Sequence, residues 1–139
     1  EKGLWHKAIA LFIISEDNKN VLLQQRSSNK KVWPNMWDIT SGGHVLKNEL
    51  GYQAAIRETK EELGIYLDKK SLEFIGVTTS EVIKGSRIDR HFNEYYIVHQ
   101  DIDLNNIVLQ KEEDMFLLNI KQNEKPMIGL KKQNYTARL

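Results

Sequence analysis

The stretch from Gly43 to Ile65, GHVLKNELGYQAAIRETKEELGI, decides how this chain folds. It begins with residues typical of a loop and continues with about three turns of helix-forming residues. Asn48 or Glu49 is expected to cap the start of the helix, because a polar side chain can accept a hydrogen bond from a free backbone N–H there. Gly64 suits the left-handed conformation that follows a helix end. The stretch therefore predicts a loop, a helix and a second loop.

The predicted helix has two distinct faces. At 100° per residue, its apolar positions fall on one narrow face, which is the pattern of a helix packed on a core. These positions are Tyr52, Ala55, Ile56, Thr59 and Leu63. Glu58, Glu61 and Glu62 fall on another arc, where separations of three and four residues make them neighbours. Because Glu58 and Glu62 repel each other, a divalent cation with carboxylate ligands, such as Mg²⁺, would stabilise this arrangement.

The simpler interpretation of the acidic arc is a solvated surface, on which Arg57 and Glu61 form an ordinary ion pair one helical turn apart. The spacing of the whole stretch favours the metal site instead. Gly43 is followed after five residues by Glu49, after seven more by Arg57-Glu58, and then by Glu61-Glu62 and Gly64-Ile65.

This spacing resembles the Nudix box, the signature of hydrolases that act on diphosphates linked to another group. Thr59 is the one departure, since the family usually has an aliphatic residue there. Its methyl group can pack on the core while its hydroxyl bonds to the previous helical turn. The resemblance implies an α/β (α+β) fold of the α/β/α sandwich type, with a mixed β-sheet and the box as its loop–helix–loop motif.

The box also supplies the candidate site residues. Glu58, Glu61 and Glu62 are the candidate metal ligands, and Glu61 and Glu62 are also candidate catalytic residues. Arg57 joins the catalytic residues because it can pair with Glu49 to orient the helix, or hold Glu61. Gly43 is a candidate ligand through its backbone carbonyl, since it has no side chain to block a cation. Mg²⁺ is the expected cofactor, with Mn²⁺ as the alternative.

Length and composition limit the classes of protein. With 139 residues, the chain is expected to form one domain over residues 1–139, although it begins without Met and upstream residues can be missing. The net charge of +1 gives no reason to expect a nucleic acid polymer as partner. The absence of cysteine excludes a disulfide framework and a cysteine nucleophile, and fits a reducing cytoplasm. No apolar run approaches the roughly 18 residues of a membrane span.

Outside the helix, the chain alternates β-forming segments with polar turns. Strands are expected at residues 4–15, 21–26, 38–41, 71–80, 88–100 and 115–118, and the first two are expected to form a hairpin. Residues 81–87 are expected to be a charged loop, and residues 104–109 either a short helical turn or a strand. The pattern favours a mixed sheet with one long central helix.

Segments outside the box resemble one branch of the Nudix superfamily, the isopentenyl diphosphate isomerases. The resemblance rests on Lys30 to Trp37 (KKVWPNMW), Gly43-His44, His6 and, more weakly, Asn93-Glu94-Tyr95. It implies that His6, His44 and Glu94 bind the metal, and that Glu94 is also a catalytic acid. The isomerases need a cysteine just before their Gly-His, whereas this chain has Gly42. Their Nudix box is degraded, whereas this one is intact.

Four residues are candidates for substrate binding: Arg26, Lys31, Trp37 and His44. Arg26 and Lys31, together with Lys30, can clamp a diphosphate, and a solvated basic loop is the alternative. Trp37 can line a pocket or stack on a base, or it can belong to the core.

The general base is left open between three glutamates, Glu94, Glu112 and Glu113. His6 and Glu94 can also be purely structural, and His44 can serve the surface instead of a ligand.

Three functions remain open on the sequence. The first is a Mg²⁺-dependent hydrolase that cleaves the diphosphate linkage of a small molecule, namely a nucleoside diphosphate derivative or a related organic pyrophosphate. The second is isopentenyl diphosphate isomerase, which Gly42 opposes. The third is a non-catalytic sensor of a nucleotide metabolite, which the intact acidic box opposes. We favour the hydrolase, with a homodimer as one option for its assembly.

Overall fold

A mixed β-sheet and an α-helix make up the fold of this computed structural model, which describes residues 2–31, 33–109, 114–119 and 128–131. The strands are β1 (Lys2–Ile14), β2 (Asn20–Gln25), β3 (Trp37–Asp38), β4 (Ser41–His44), β5 (Glu73–Lys84), β6 (Arg87–His99), β7 (Asp114–Asn119) and β8 (Ile128–Lys131). The helix α1 is Gly51–Leu63, and two short 3-10 helices span Lys69–Ser71 and Leu104–Asn106. The predicted mixed α+β class is confirmed, with α1 as the helix of the loop–helix–loop.

Strand β1 lies at the centre of the sheet, whose order is β5-β6-β1-β2-β7-β8. It pairs in parallel with β6 and antiparallel with both β2 and β4, so the predicted hairpin of β1 and β2 is present. Ile9 of β1 lies opposite Gly43 of β4 on one side and opposite Glu94 of β6 on the other. Because side chains on neighbouring strands share a face when they are in register, this row of residues points towards α1.

The core lies between α1 and the central strands. Its members are Ile9, Leu11, Ile13, Leu22, Ala54, Ala55, Leu63, Leu67, Tyr96, Val98, Leu104 and Ile107. The predicted apolar face of α1 is confirmed, since Ala55, Thr59 and Leu63 are buried while Tyr52 and Ile56 pack against the core in part. Burial of an apolar helix face supplies most of the stability of such a short helix.

The predicted residue at the end of α1 is confirmed, whereas the predicted cap at its start is wrong. Gly64 has a φ of 68° and its N–H donates to the carbonyl of Lys60, as expected of a left-handed cap. At the start, the expectation of Asn48 or Glu49 as the cap is wrong, because Leu50 occupies that position. The Glu49 carboxylate accepts instead from the N–H of Leu46, and the side chain of Gln53 accepts from the N–H of Leu50.

The expected strand at residues 38–41 is divided into β3 and β4, which pair with different strands. Thr40 causes the division. It is fully buried, its hydroxyl accepts from the N–H of Ile13 at 2.9 Å, and it donates to the carbonyl of Leu22. The side chain therefore takes the place of a backbone bond between β1 and β2, which separate at this point.

Two other segments differ from expectation. The charged loop predicted at residues 81–87 is mostly strand, because β5 and β6 stay paired as far as Lys84 and Arg87. Gly85, with a φ of 58°, allows the tight turn between them. Residues 104–109 begin as the 3-10 helix Leu104–Asn106, which decides between the two alternatives. Glu112 and Glu113 lie outside the described residues.

Candidate active site

Arg57 connects the loop before α1 to the acidic face of the helix. Its Nε and Nη2 atoms donate to the two carboxylate oxygens of Glu49 at 2.8 and 3.0 Å. Its Nη1 donates to Glu58 at 2.8 Å and to Glu61 at 3.3 Å. Its Nη2 also donates to the carbonyl oxygen of His44 at 2.9 Å. The predicted pair of Glu49 and Arg57 is therefore present, and the planar guanidinium fixes the position of the loop relative to the helix.

These contacts also fix the charges of the pair. The hydrogen bond from Arg57 holds the pKa of Glu49 below its ordinary value, and the N–H of Leu46 acts in the same direction. Hydrogen bonds to Glu49 and Glu58 raise the pKa of Arg57. Both members of the pair therefore stay ionised at neutral pH.

Gly43 allows the carboxylate of Glu58 to lie directly against β4. A Cβ atom at position 43 would lie 2.2 Å from Cδ of Glu58 and 2.3 Å from its Oε1, closer than real atoms approach. The Glu58 side chain is only 13% exposed. Residue 43 must therefore be glycine for this carboxylate to occupy its position.

The other two glutamates of the box point in different directions. Glu62 is buried, and its Oε2 accepts from Nε2 of Gln24 at 3.2 Å and from the backbone N–H of Gly42 at 3.4 Å. The side chain of Glu61 is 56% exposed and contacts Nη1 of Arg57. Glu58 and Glu62 thus lie against Gly42-Gly43, while Glu61 faces solvent.

The donor set can be compared with what a metal ion needs. Among the described residues, no three His, Asp or Glu side chains converge in a way that would hold a metal ion. Magnesium, however, is usually bound through one or two carboxylates and retains several waters. The hard oxygens of Glu58 and Glu62, which both lie against Gly42-Gly43, fit such an ion.

A cavity of about 290 Å³ lies beside Glu62. Its lining combines acidic, basic and glycine residues: Ile9, Gln24, Arg26, Lys30, Asp38, Ile39, Gly42, Gly43 and Glu62. Arg26 contacts Asp38 at 3.3 Å, so the guanidinium has a fixed position at the cavity wall. Of the predicted basic clamp, Arg26 and Lys30 line the cavity, whereas Lys31 does not. Trp37 is 43% exposed on β3 and is not part of the lining.

Glu94 lies at the start of α1. Its Oε2 accepts from the hydroxyl of Tyr96 at 2.8 Å, and its Oε1 lies 3.9 Å from Nζ of Lys7. A Cβ atom at Gly51 would lie 1.6 Å from Oε2 of Glu94, so a larger first residue of the helix would displace this carboxylate. Two strand spacings, roughly 10 Å, separate the backbone of Glu94 from that of Gly43. Its contacts are those of a carboxylate placed at the positive end of a helix.

Three histidines cluster on the face of the sheet opposite α1. Nε2 of His44 lies 3.2 Å from Nε2 of His91, and the ring of His6 lies 5.6 Å from that of His91. With Val45, Arg87 and Asp89 they line a second cavity of about 370 Å³. Burial lowers the pKa of His91 most, and the neighbouring His44 and His6 lower it further. The carboxylate of Asp89 acts in the opposite direction.

Sequence reasoning missed two residues of these sites, Gln24 and His91. Gln24 is a buried polar residue that holds both Glu62 and the carbonyl of Thr40. A glutamine inside a run of apolar strand residues is a signal that could have been used. His91 joins His6 only through the parallel pairing of β1 and β6, which no local pattern reveals.

Comparisons with known proteins point to one family. A family model described as the NUDIX domain matches residues 4–138. The chain is 39% identical over 115 residues to Nudix hydrolase 3 of Arabidopsis thaliana. The alignment covers 80% of this chain and 15% of that protein. It is 34% identical over 126 residues to an uncharacterised Nudix hydrolase of Clostridium acetobutylicum. That alignment covers 89% of this chain and 61% of the relative. The chain thus spans less than two thirds of the length of these relatives.

Structural similarity agrees with the sequence comparisons. The fold matches the crystal structure of a MutT NUDIX hydrolase from Burkholderia pseudomallei with a TM-score of 0.61 and 17% identity, over 88% of this chain and 89% of that chain.

The resemblance to isomerases is also present. The chain is 40% identical over 63 residues to the isopentenyl-diphosphate Delta-isomerase of Streptomyces avermitilis. This alignment covers 45% of this chain and 32% of that protein.

Within the described part of the chain, no helix is long and apolar enough to cross a membrane.

Proposed function

We propose that this chain, which belongs to the Nudix family, is a metal-dependent hydrolase that cleaves the diphosphate linkage of a nucleoside diphosphate derivative or a related organic pyrophosphate. One observation carries the proposal. Glu58 and Glu62 lie against Gly42-Gly43, at a cavity whose wall also carries Arg26 and Lys30. Carboxylates beside basic groups are suited to a diphosphate and its metal ion, which would be Mg²⁺ or alternatively Mn²⁺.

The contacts of each residue support a role. Arg26 and Lys30 would hold the diphosphate by charge-assisted hydrogen bonds. Gln24 and Gly42 orient Glu62, and Arg57 orients Glu58, so that both carboxylates face the same segment of β4. When bound, a divalent ion supplies polarisation of the phosphorus–oxygen bonds and a more acidic water.

Glu61 and Glu94 have different proposed roles. The carboxylate of Glu61 is exposed to solvent apart from its contact with Arg57, and we propose that its other oxygen accepts a proton from the attacking water. Glu94 is already engaged by Tyr96, Lys7 and the start of α1, so we place it as the residue that positions the helix.

The test is Glu62→Gln, which keeps the size of the side chain and removes its charge. With Mg²⁺ and a panel of nucleotide sugars, dinucleoside polyphosphates, nucleoside triphosphates and prenyl diphosphates, we expect turnover of the best substrate to fall by on the order of 10²-fold or more. Circular dichroism should show an unchanged fold. Glu16→Gln, in the exposed turn between β1 and β2, is the matched control and should retain full turnover. Full activity of Glu62→Gln would overturn the assignment.

Isomerisation is the second candidate, and the partial similarity to isomerases favours including it. The structure around Gly42 argues against it. A Cβ atom there would lie 2.6 Å from Cδ1 of Ile39 and 3.0 Å from the carbonyl oxygen of Ile9, so the cysteine that the isomerases need does not fit without a shift. Conversion of isopentenyl diphosphate to dimethylallyl diphosphate by the purified protein would reverse this preference. We also propose that residues 1–139 form a single domain and that the protein is cytoplasmic.

A further inference from the structure

Strand β5 forms one edge of the described sheet, where it pairs with β6 alone. An edge strand offers unpaired N–H and C=O groups, and most proteins protect such edges with short strands, proline or charges. β5 is 12 residues long and contains no proline, and its charged residues and its one bulge lie towards its ends, which leaves residues 76–80 without a charge. Five of its large apolar side chains are 48–62% exposed: Phe74, Ile75, Val77, Val82 and Ile83. This edge therefore has the features of a surface that pairs with another strand.

The register with β6 shows which face each side chain of β5 occupies. Phe74 lies opposite Tyr96 and Ile83 lies opposite Ile88, which places both on the face that carries α1. Glu73 and Lys84 lie opposite Ile97 and Arg87, which places them on the other face. The register shifts between Phe74 and Gly76, so Ile75 is the extra residue of a β-bulge.

The sequence of β5 is complementary to itself when two copies run antiparallel about a two-fold axis at Thr79. In that register Val77 lies opposite Glu81 of the second copy, and Glu81 is already paired with Arg90 of its own chain. Beyond the bulge, Phe74 lies opposite Ile83 and Glu73 lies opposite Lys84. Each pair shares a face, two apolar side chains meet, and opposite charges meet at both ends of the strand.

We propose that two copies of this chain associate through β5, so that their sheets join into one continuous sheet. The interface is isologous, because each pair occurs twice across the two-fold axis. Backbone hydrogen bonds between the two edges give the affinity, as in other cases of strand addition. The ion pair of Glu73 with Lys84 of the second copy sets the register.

Charge reversal tests the register. By sedimentation velocity, we expect the wild-type chain at micromolar concentration to have twice its mass of 16.2 kDa. Glu73→Lys and Lys84→Glu should each raise the dissociation constant at least tenfold, because like charges then meet at both ends. The double variant should restore the dimer, because the opposite charges meet again. Glu16→Lys, which makes the same charge change outside β5, should have no effect.

A single cysteine tests the position of the axis. Because the chain contains no cysteine, Thr79→Cys introduces only one thiol per chain. Two such residues opposite each other on the axis are close enough for a disulfide, and oxidation should yield a covalent dimer. Ser28→Cys, in an exposed turn, should stay monomeric under the same oxidation. A monomeric wild-type chain, single charge reversals without effect, failure of the double variant to recover, or no Thr79→Cys crosslink would each overturn the proposal.

Discussion

Two groups of side chains meet at β4 from opposite faces, and they differ in how charge is balanced. On the α1 side, Arg57 contacts three carboxylates and the carbonyl of His44. On the other side, the rings of His6, His44 and His91 lie within 6.1 Å of one another, and Asp89 is the acid that acts on His91. The first group is held together by its charges. In the second group, burial and the two neighbouring histidines lower the pKa of His91.

The largest expected effect comes from filling the space at Gly43. Gly43→Ala would force the carboxylate of Glu58 away from β4, since the new Cβ atom would overlap it. We expect turnover to fall by on the order of 10²-fold, comparable to the loss of one transition-state contact. Gly76→Ala is the matched control, because a Cβ atom there meets nothing within 4 Å. Equal activity of both variants would show that the position of Glu58 is not important.

A smaller effect is expected from Arg57→Lys, which keeps the charge and removes the two-pronged contact with Glu49. The free energy of unfolding in urea should fall by about 2 kcal/mol, because hydrogen bonds to partly buried charged groups are lost. Arg90→Lys is the control, since Arg90 pairs with the more exposed Glu81, and it should lose less than about 1 kcal/mol. Similar losses in the two variants would mean that the Arg57 network adds nothing beyond a surface pair.

The smallest effect concerns the histidine cluster and depends on pH. The pKa of His91 is lower in the folded chain than its ordinary value of 6.5, so the unfolded chain binds more protons as the pH falls past 6.5. The free energy of unfolding should therefore decrease from pH 7.5 to pH 5.5. His91→Gln should flatten this dependence, whereas His99→Gln, exposed at the end of the same strand, should not. Parallel pH profiles for wild type and His91→Gln would contradict the prediction.

Much of the acidic group could be predicted because its members are close in sequence. Helical periodicity alone places Glu58 and Glu62 on one face, and the spacing to Gly43 adds the segment that they contact. Thr59 behaves as expected from its chemistry. Its hydroxyl donates to the carbonyl of Ala55 at 2.8 Å and also lies 2.8 Å from the hydroxyl of Ser41. The second contact was not predicted, since it depends on the packing of α1 on β4.

The histidine group could not be predicted because its members come from three strands. A strand pattern gives the alternation of faces but not which residue lies opposite which. His91 lies beside His6 because β1 and β6 are parallel and in that register. The same limit explains Glu94, whose position at the start of α1 depends on the register of β6 with β1 and on the small size of Gly51.

The contacts of Thr40 have a consequence for the energetics of the candidate active site. Its hydroxyl bridges Ile13 and Leu22, so β1 and β2 are held apart while their backbone groups remain satisfied. Gln24 bonds to the carbonyl of Thr40 at the same place and extends to Glu62 at the cavity wall. The position of the Glu62 carboxylate is therefore set when these strands assemble during folding. If a diphosphate binds at this cavity, as we propose, none of its binding free energy is needed to orient that carboxylate.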